Sequence, residues 1–149
     1  PAAGELAALN DRGLHIIPMG ERVGDASAIK MCYGALTKGQ SALYTELLVA
    51  AEALGVSDAL AAEFRHSQAE ALKRMDGLPN MPPKSRRWVG EMEEIAATFA
   101  AVGLTPKIFE GAADIYRFVG GTDLADRNPE DGGKPSLEEV LIQLAKSLP

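Results

Sequence analysis

The stretch from Asp25 to Leu54 constrains the fold more than any other part of this chain. Its apolar residues Ile29, Cys32, Leu36, Leu43, Leu47, Ala50 and Leu54 recur at spacings of three, four and seven. That period predicts one helix with these side chains along its buried seam. At 1.5 Å per residue it is about 45 Å long, enough to cross a whole domain. Asp25 is the expected N-cap and Gly55 the glycine that ends the rod. Anything else in the chain has to pack around this element.

The remaining sequence supplies shorter helices. Ser57 is the expected cap of a second one reaching Met75, with Leu60, Phe64, Ala71 and Leu72 inward. Pro79, Pro82 and Pro83 then enforce a loop over 76–83. A third helix runs from about Pro83 to Val102, with Trp88, Met92, Ile95, Phe99 and Val102 on its inner stripe and Gly103 as its stop. Thr105-Pro106 opens a fourth in cap-then-proline order. Its inner residues are Ile108, Phe109, Ala112, Ile115, Tyr116 and Val119, and Gly120-Gly121 closes it. The polar run 122–134, with Pro129, Gly132 and Gly133, reads as an exposed loop. Ser136 and Glu139 form a capping box ahead of Leu137, Val140, Leu141, Leu144 and Leu148.

The front of the chain differs. Residues 5–12 read as a short helical turn broken by Gly13, and Leu14-His15-Ile16-Ile17 is β-type, stopped by Pro18 and Gly20. A lone strand leaves its backbone polar groups unpaired. It is therefore either an extended connector or the edge of a sheet encoded upstream. Pro1 is no initiator methionine, so the chain reads as a processed or excised piece. The expected fold class is all-α: a helical bundle around one long central helix, with this short N-terminal strand left over.

Composition narrows the function. Aromatics are 5% of the 149 residues and alanine is abundant, so the core must come from Ala, Leu, Ile and Met on closely packed helices. The net charge of −6 argues against a nucleic-acid-binding surface. No apolar run reaches the length of a membrane span, and no secretory signal is present. The single cysteine, Cys32, has no internal partner and no metal-ligand spacing accompanies it; its place on the apolar seam makes it a core thiol. A cytoplasmic protein without a metal is the expectation.

Opposite the seam of the long helix, Lys30, Tyr33, Gly34, Thr37, Lys38, Ser41 and Thr45 share a second face. A polar stripe is ordinarily a solvated face. This one, however, holds hydroxyls, glycine and two lysines but no acid before Glu46. Gly34 and Gly39 each cost about 1 kcal/mol in a helix interior, so something is expected to approach them closely. A lysine beside an apolar wall can exchange protons; either lysine can equally pair with a substrate carboxylate or phosphate. Lys38 lies two turns from Lys30, about 12 Å along the axis. Elsewhere, His15 reads as structural, His66 as exposed, Trp88 as core, and Arg86 and Arg87 as a solvated pair or a phosphate contact.

Val23-Gly24-Asp25-Ala26-Ser27-Ala28-Ile29-Lys30-Met31 resembles the glycine-rich turn and lysine that open the long helix of the β-hydroxyacid dehydrogenases, a group that includes 6-phosphogluconate and 3-hydroxyisobutyrate dehydrogenases. Arg86-Arg87-Trp88-Val89-Gly90-Glu91-Met92-Glu93-Glu94-Ile95-Ala96 is similar to the C-terminal domain, of unassigned function, in a phosphogluconate dehydrogenase-like branch. The resemblance covers the chain from about Leu14 onward. It implies that residues 1–22 are the tail of a nucleotide-binding domain and the inter-domain crossing. Residues 23–149 would then be a helical substrate and dimerisation domain. It further implies Lys30 as general acid/base, Tyr33, Gly34, Thr37 and Lys38 as substrate wall, and Gly24, Ser27 and Glu91 as neighbours of the cofactor.

NAD or NADP would be bound mainly by a Rossmann-type domain upstream, because no Gly-x-Gly-x-x-Gly occurs in these residues. Expected partners are that domain, a second copy and a small-molecule hydroxyacid. The sequence departs from the family pattern in three places. The Asn expected four residues after the lysine is Gly34, and the phosphogluconate enzymes' acid seven residues after it is Thr37. The family's Lys-Asp pair falls on Gly90 and Glu91, which leaves only the acid. Glu91 either orients Lys30 or the cofactor's edge, or pairs with Arg87 one turn back. A non-catalytic helical dimerisation or interaction domain is the alternative function.

Overall fold

The computed structural model describes residues 3–128, 133 and 135–149. Seven α-helices account for most of them: α1 Ala3–Leu6, α2 Asp25–Ala53, α3 Ser57–Ser67, α4 Ala69–Met75, α5 Ser85–Ala101, α6 Lys107–Gly120 and α7 Leu137–Lys146. No strand occurs among the described residues, and the fold class is all-α. The chain divides into two compact units, the first ending at Lys30 and the second running Met31–Pro149.

In the first unit α1 passes into a 3-10 turn, Ala7–Arg12, closed by Gly13 at φ 86°. The strand expected at Leu14–Ile17 is not formed. The side chain of Asn10 takes the place of a strand partner: its Oδ1 accepts from the Ile16 N–H at 2.5 Å and its Nδ2 donates to the Ile16 carbonyl at 3.0 Å. One amide thus satisfies both polar groups of Ile16, and the segment stays irregular. His15 is exposed. The Gly24 carbonyl accepts the first bond of α2, from Ala28 N–H at 2.8 Å. Gly24 is therefore the cap and Asp25 the first helical residue. The Asp25 carboxylate still lies at the end of the helix where anions are favoured, held by Arg22 at 2.6 Å.

In the second unit α2 ends as its sequence predicts. Gly55 has φ 70°, its N–H bonds to Glu52 O, and Val56 N–H bonds to Ala51 O, the two bonds of a Schellman ending. Gly103 repeats the device after α5, with Leu104 N–H on Phe99 O. The helix expected over 57–75 is broken at Gln68, whose φ −138° and ψ 40° lie outside the helical region. Next to the break Ser67 turns its hydroxyl onto Glu63 O, a back-bond that bends helices. Ser57 is the first residue of α3 and bonds to Glu52 instead of capping. At α6 the Pro106 carbonyl accepts the first bonds, so Pro106 stands one position earlier than expected.

Residues 76–84 fold into two 3-10 turns, Leu78–Asn80 and Pro82–Lys84, with Leu78, Met81 and Pro82 buried. A further turn, Asp123–Asp126, buries Leu124, so 122–126 is not the exposed loop expected. Pro129 and Gly132 of that loop lie outside the described residues. The capping box of α7 is present, with both Ser136 and Glu139 bonds made.

The core brings together Met92, Ile95 and Ala96 of α5, Phe109, Ala113, Tyr116 and Val119 of α6, and Val140 and Leu144 of α7. Burying each of the larger apolar side chains among these is worth about 1.5–3 kcal/mol. Outside the long-helix seam, three residues expected inward are exposed: Val102, Ile108 and Leu148.

The largest correction concerns α2. Leu36 is 59% and Leu43 56% exposed, and Cys32 and Ala50 face solvent too. Ile29, in the first unit, and Leu54, just past the helix, are also exposed. Buried instead are Gly34, Ala42, Thr45, Val49 and Ala51. The helix turns its small and hydroxyl-bearing side toward α5 and α6. Large side chains there need holes, and leucines would not provide them: a Cβ on Gly34 would lie 3.2 Å from Ile95 Cδ1, and one on Gly39 3.4 Å from Phe109 Cε1. Thr45 reaches burial by spending its hydroxyl on Ser41 O at 2.8 Å.

Candidate functional site

Within the second unit the polar face of α2 meets α5 and α6 around Lys38. Helix α5 brings Glu91 together with Arg87 and Trp88, which lie four and three residues before it and so each neighbour it on the helix surface, and α6 brings Tyr116. Lys38 Nζ lies 2.5 Å from Glu91 Oε2 with side-chain exposures of 22% and 29%, and Arg87 Nε stands 3.4 Å from Glu91 Oε1. Two cations therefore converge on one half-buried carboxylate. The ammonium also lies 5.8 Å from the centroid of the Trp88 ring, within the range of a cation–π contact.

Tyr116 braces this cluster from below. It is fully buried, and its hydroxyl donates to the Lys38 carbonyl at 2.6 Å. Trp88 meets it edge-on, ring centroids 5.3 Å apart at 74°, a favoured aromatic geometry. Burial pushes the Tyr116 phenol well above its ordinary range. Hydrogen bonding with the Ser41 side chain and the Ala42 backbone pulls the other way, and the negative charge of Glu91 adds to the rise. Trp88 Nε1 is buried without a hydrogen-bond partner.

Gly34 is buried between Ile95 and the end of Lys38: a Cβ there would sit 4.0 Å from Nζ. Tyr33 is 70% exposed. The Thr37 hydroxyl is spent on its own helix, donating to Tyr33 O at 3.1 Å. Of the residues expected around a substrate, Gly34 and Lys38 thus gather with Glu91, while Tyr33 and Thr37 face solvent. Glu91 makes the Arg87 pairing foreseen from the spacing, and a shorter one with Lys38. The Lys38–Glu91 and Tyr116–Lys38 contacts join residues 53 and 78 positions apart, which no local pattern signals.

Gly24, Ser27 and Lys30 belong to the first unit, and all three are exposed. Gly24 has φ 105° with open space where a Cβ would be. Lys30 has no hydrogen bond or ion pair among the described residues. Arg86 is not a free phosphate ligand: it donates to Gly120 O at 2.8 Å and pairs with Asp126 at 2.5 Å. That pairing raises its own pKa and lowers that of Asp126. No group of three or more potential metal ligands occurs among the described residues, and no described helix is long and apolar enough to cross a membrane.

Residues 51–119 match the family described as Domain of unknown function (DUF1932). That domain is the C-terminal one of NAD-binding 6-phosphogluconate dehydrogenase-like proteins. The match starts in the last turn of α2 and ends within α6. It takes in Arg87, Trp88, Glu91 and Tyr116, and leaves out Lys30 and Lys38. No curated protein matches the chain.

Proposed function

We propose that this chain is the helical C-terminal part of an NAD(P)-dependent hydroxyacid dehydrogenase-like oxidoreductase. The match of residues 51–119 to a domain that accompanies NAD-binding dehydrogenase-like proteins carries this reading. The Gly24-to-Lys30 motif at the start of α2 supports it. In this reading Lys30 Nζ takes the hydroxyl proton of a small hydroxyacid as its carbon becomes a carbonyl. NAD or NADP, held by a Rossmann-type domain upstream, supplies the hydride acceptor.

The residues of this chain fit a supporting part in nucleotide binding. Gly24 offers an open, glycine-only turn at the start of a long helix, where backbone N–H groups favour anions, and Ser27 adds a hydroxyl in the first turn of that helix. They do not amount to a pyrophosphate cradle. Lys38 is engaged by Glu91, so its part is to shape the substrate wall with Gly34 and Trp88. Lys30, which makes no hydrogen bond or ion pair among the described residues, is the residue assigned to meet substrate.

The test is turnover by the full-length protein with NAD+ and NADP+ against a panel of small hydroxyacids, followed by nicotinamide absorbance. Lys30→Ala should lower kcat by about 10²–10⁴-fold, the usual contribution of a general acid/base, with an unchanged far-UV spectrum. Turnover retained in Lys30→Ala would remove the assigned role, and absence of any NAD(P)-linked turnover would remove the reading itself.

A further inference from the structure

Three charged side chains meet where α2 packs on α5. Glu91 offers one carboxylate oxygen to Lys38 Nζ at 2.5 Å and the other to Arg87 Nε at 3.4 Å. Two positive charges thus share one negative charge, and the cluster keeps a net positive charge in a chain whose total is −6. The pairing also leaves donors over. A lysine carries three N–H donors and an arginine five, and neither side chain makes another hydrogen bond or ion pair among the described residues. Because Glu91 engages Arg87 through Nε, the two terminal nitrogens keep the fork geometry that grips a carboxylate with two bonds.

Lys38 is enclosed beside that fork. Its side chain is 22% exposed, its ammonium lies 5.8 Å from the Trp88 ring centroid, and Gly34 brings no side chain against it. A cation so enclosed attracts an anion more strongly than one in open water. Arg87, 72% exposed, offers the approach from solvent.

Glu91 decides which anion is accepted. A monocarboxylate neutralises the one unmatched positive charge. A phosphate dianion brings a second negative charge, which Lys38 and Arg87 do not match while Glu91 lies between them. We propose, on the reading of this chain as part of a hydroxyacid dehydrogenase-like oxidoreductase, that Lys38 and Arg87 receive the carboxylate of a small unphosphorylated hydroxyacid, and that Glu91 restricts this site to monoanions by neutralising one of the two cations.

Trp88 is the single tryptophan of these 149 residues, so its fluorescence reports events at the ammonium beside it. Full-length protein is titrated with glycolate and with inorganic phosphate at constant ionic strength and about pH 8, where phosphate is mainly a dianion; Trp88→Phe supplies the blank. Glycolate should give a saturable change at lower concentration than phosphate. Arg87→Gln, at a mostly exposed position, should weaken glycolate binding about tenfold, the scale of one hydrogen bond to a charged group. Glu91→Gln should shift the preference about fivefold toward phosphate, the scale of one partly exposed charge pair. Glu91→Asp, which keeps the charge, should retain the parent preference. Absence of a saturable glycolate signal, phosphate bound as tightly as glycolate, or glycolate binding indifferent to Arg87→Gln would overturn the proposal. So would an unchanged preference in a Glu91→Gln protein of normal helical content. The titration needs no nicotinamide: selection of glycolate by a protein without NAD(P)-linked turnover upholds the site and removes only the reaction.

Discussion

Helices α2 and α6 are both long and both carry apolar stripes, yet only α6 buries most of the stripe its sequence advertises, Ile108 at its start excepted. In α6 the inward residues Phe109, Ala112, Tyr116 and Val119 are large or apolar, and the opposite face holds Glu110, Asp114 and Arg117. Hydrophobicity and shape point the same way. In α2 they diverge: one side has the leucines, and the other has Gly34, Gly39, Ser41, Ala42 and Thr45. The neighbours decide. Ile95, Phe109 and Tyr116 project toward α2 and need small residues to receive them. The lesson is that where one helix presents bulk, the packed face of its partner is set by volume, even at the cost of leaving leucines outside.

The largest test of that contrast lies in the side chains that fill the holes. Ile95→Ala removes a buried side chain that faces Gly34 of α2 and should cost about 2–5 kcal/mol in urea unfolding. A cost under about 1 kcal/mol would mean that this core is loosely packed and α2 has no fixed seat.

Filling a hole should come next. Gly34→Leu places a branched side chain where even a Cβ lies 3.2 Å from Ile95. The gain in helix propensity is outweighed by overpacking of about 1–3 kcal/mol. Thermal unfolding that shows Gly34→Leu as stable as the parent would put the small-residue face of α2 outside the packed interior.

Tyr116 links the two helices by its hydroxyl, and Tyr116→Phe should cost about 0.5–1.5 kcal/mol. The pH dependence gives a sharper signature. Burial holds the folded phenol above its ordinary value of 10.0, so the folded state resists losing that proton while the unfolded chain gives it up. The stabilisation is complete below pH 10 and declines as pH rises from there toward the folded value. Parent protein should therefore lose stability more steeply than Tyr116→Phe above pH 10. Parallel pH profiles would show that the phenol is not held in its buried, neutral state.

Much of the fold was legible because its signals are local. The glycine stops at Gly55 and Gly103, the Ser136–Glu139 capping box and the inner stripe of α6 each depend on residues within about a turn of one another. The failures share a different cause. The Leu14–Ile17 strand is pre-empted by the Asn10 amide, a side-chain bond that β-propensity does not record. The rotation of α2 depends on which large residues α5 and α6 bring to it, information held 50–80 positions away. The candidate site divides the same way: Arg87–Glu91 follows from four-residue spacing, whereas Lys38–Glu91 and Tyr116–Lys38 appear only once the helices are packed.

The smallest expected effect is the one that most separates the two helices. Leu43→Ala deletes a large side chain from the α2 seam, which by sequence alone should behave like a core truncation. Because that leucine is mostly exposed, its removal should change the stability of the isolated subunit by no more than about 0.5 kcal/mol. The measurement belongs at the lowest workable protein concentration, since any self-association would add stability that grows with concentration. Phe109→Ala, on the facing helix and buried, should cost about 3–5 kcal/mol under the same conditions. Equal losses at Leu43 and Phe109 in dilute protein would mean that α2 packs by its leucines after all, and the volume argument would fall with it.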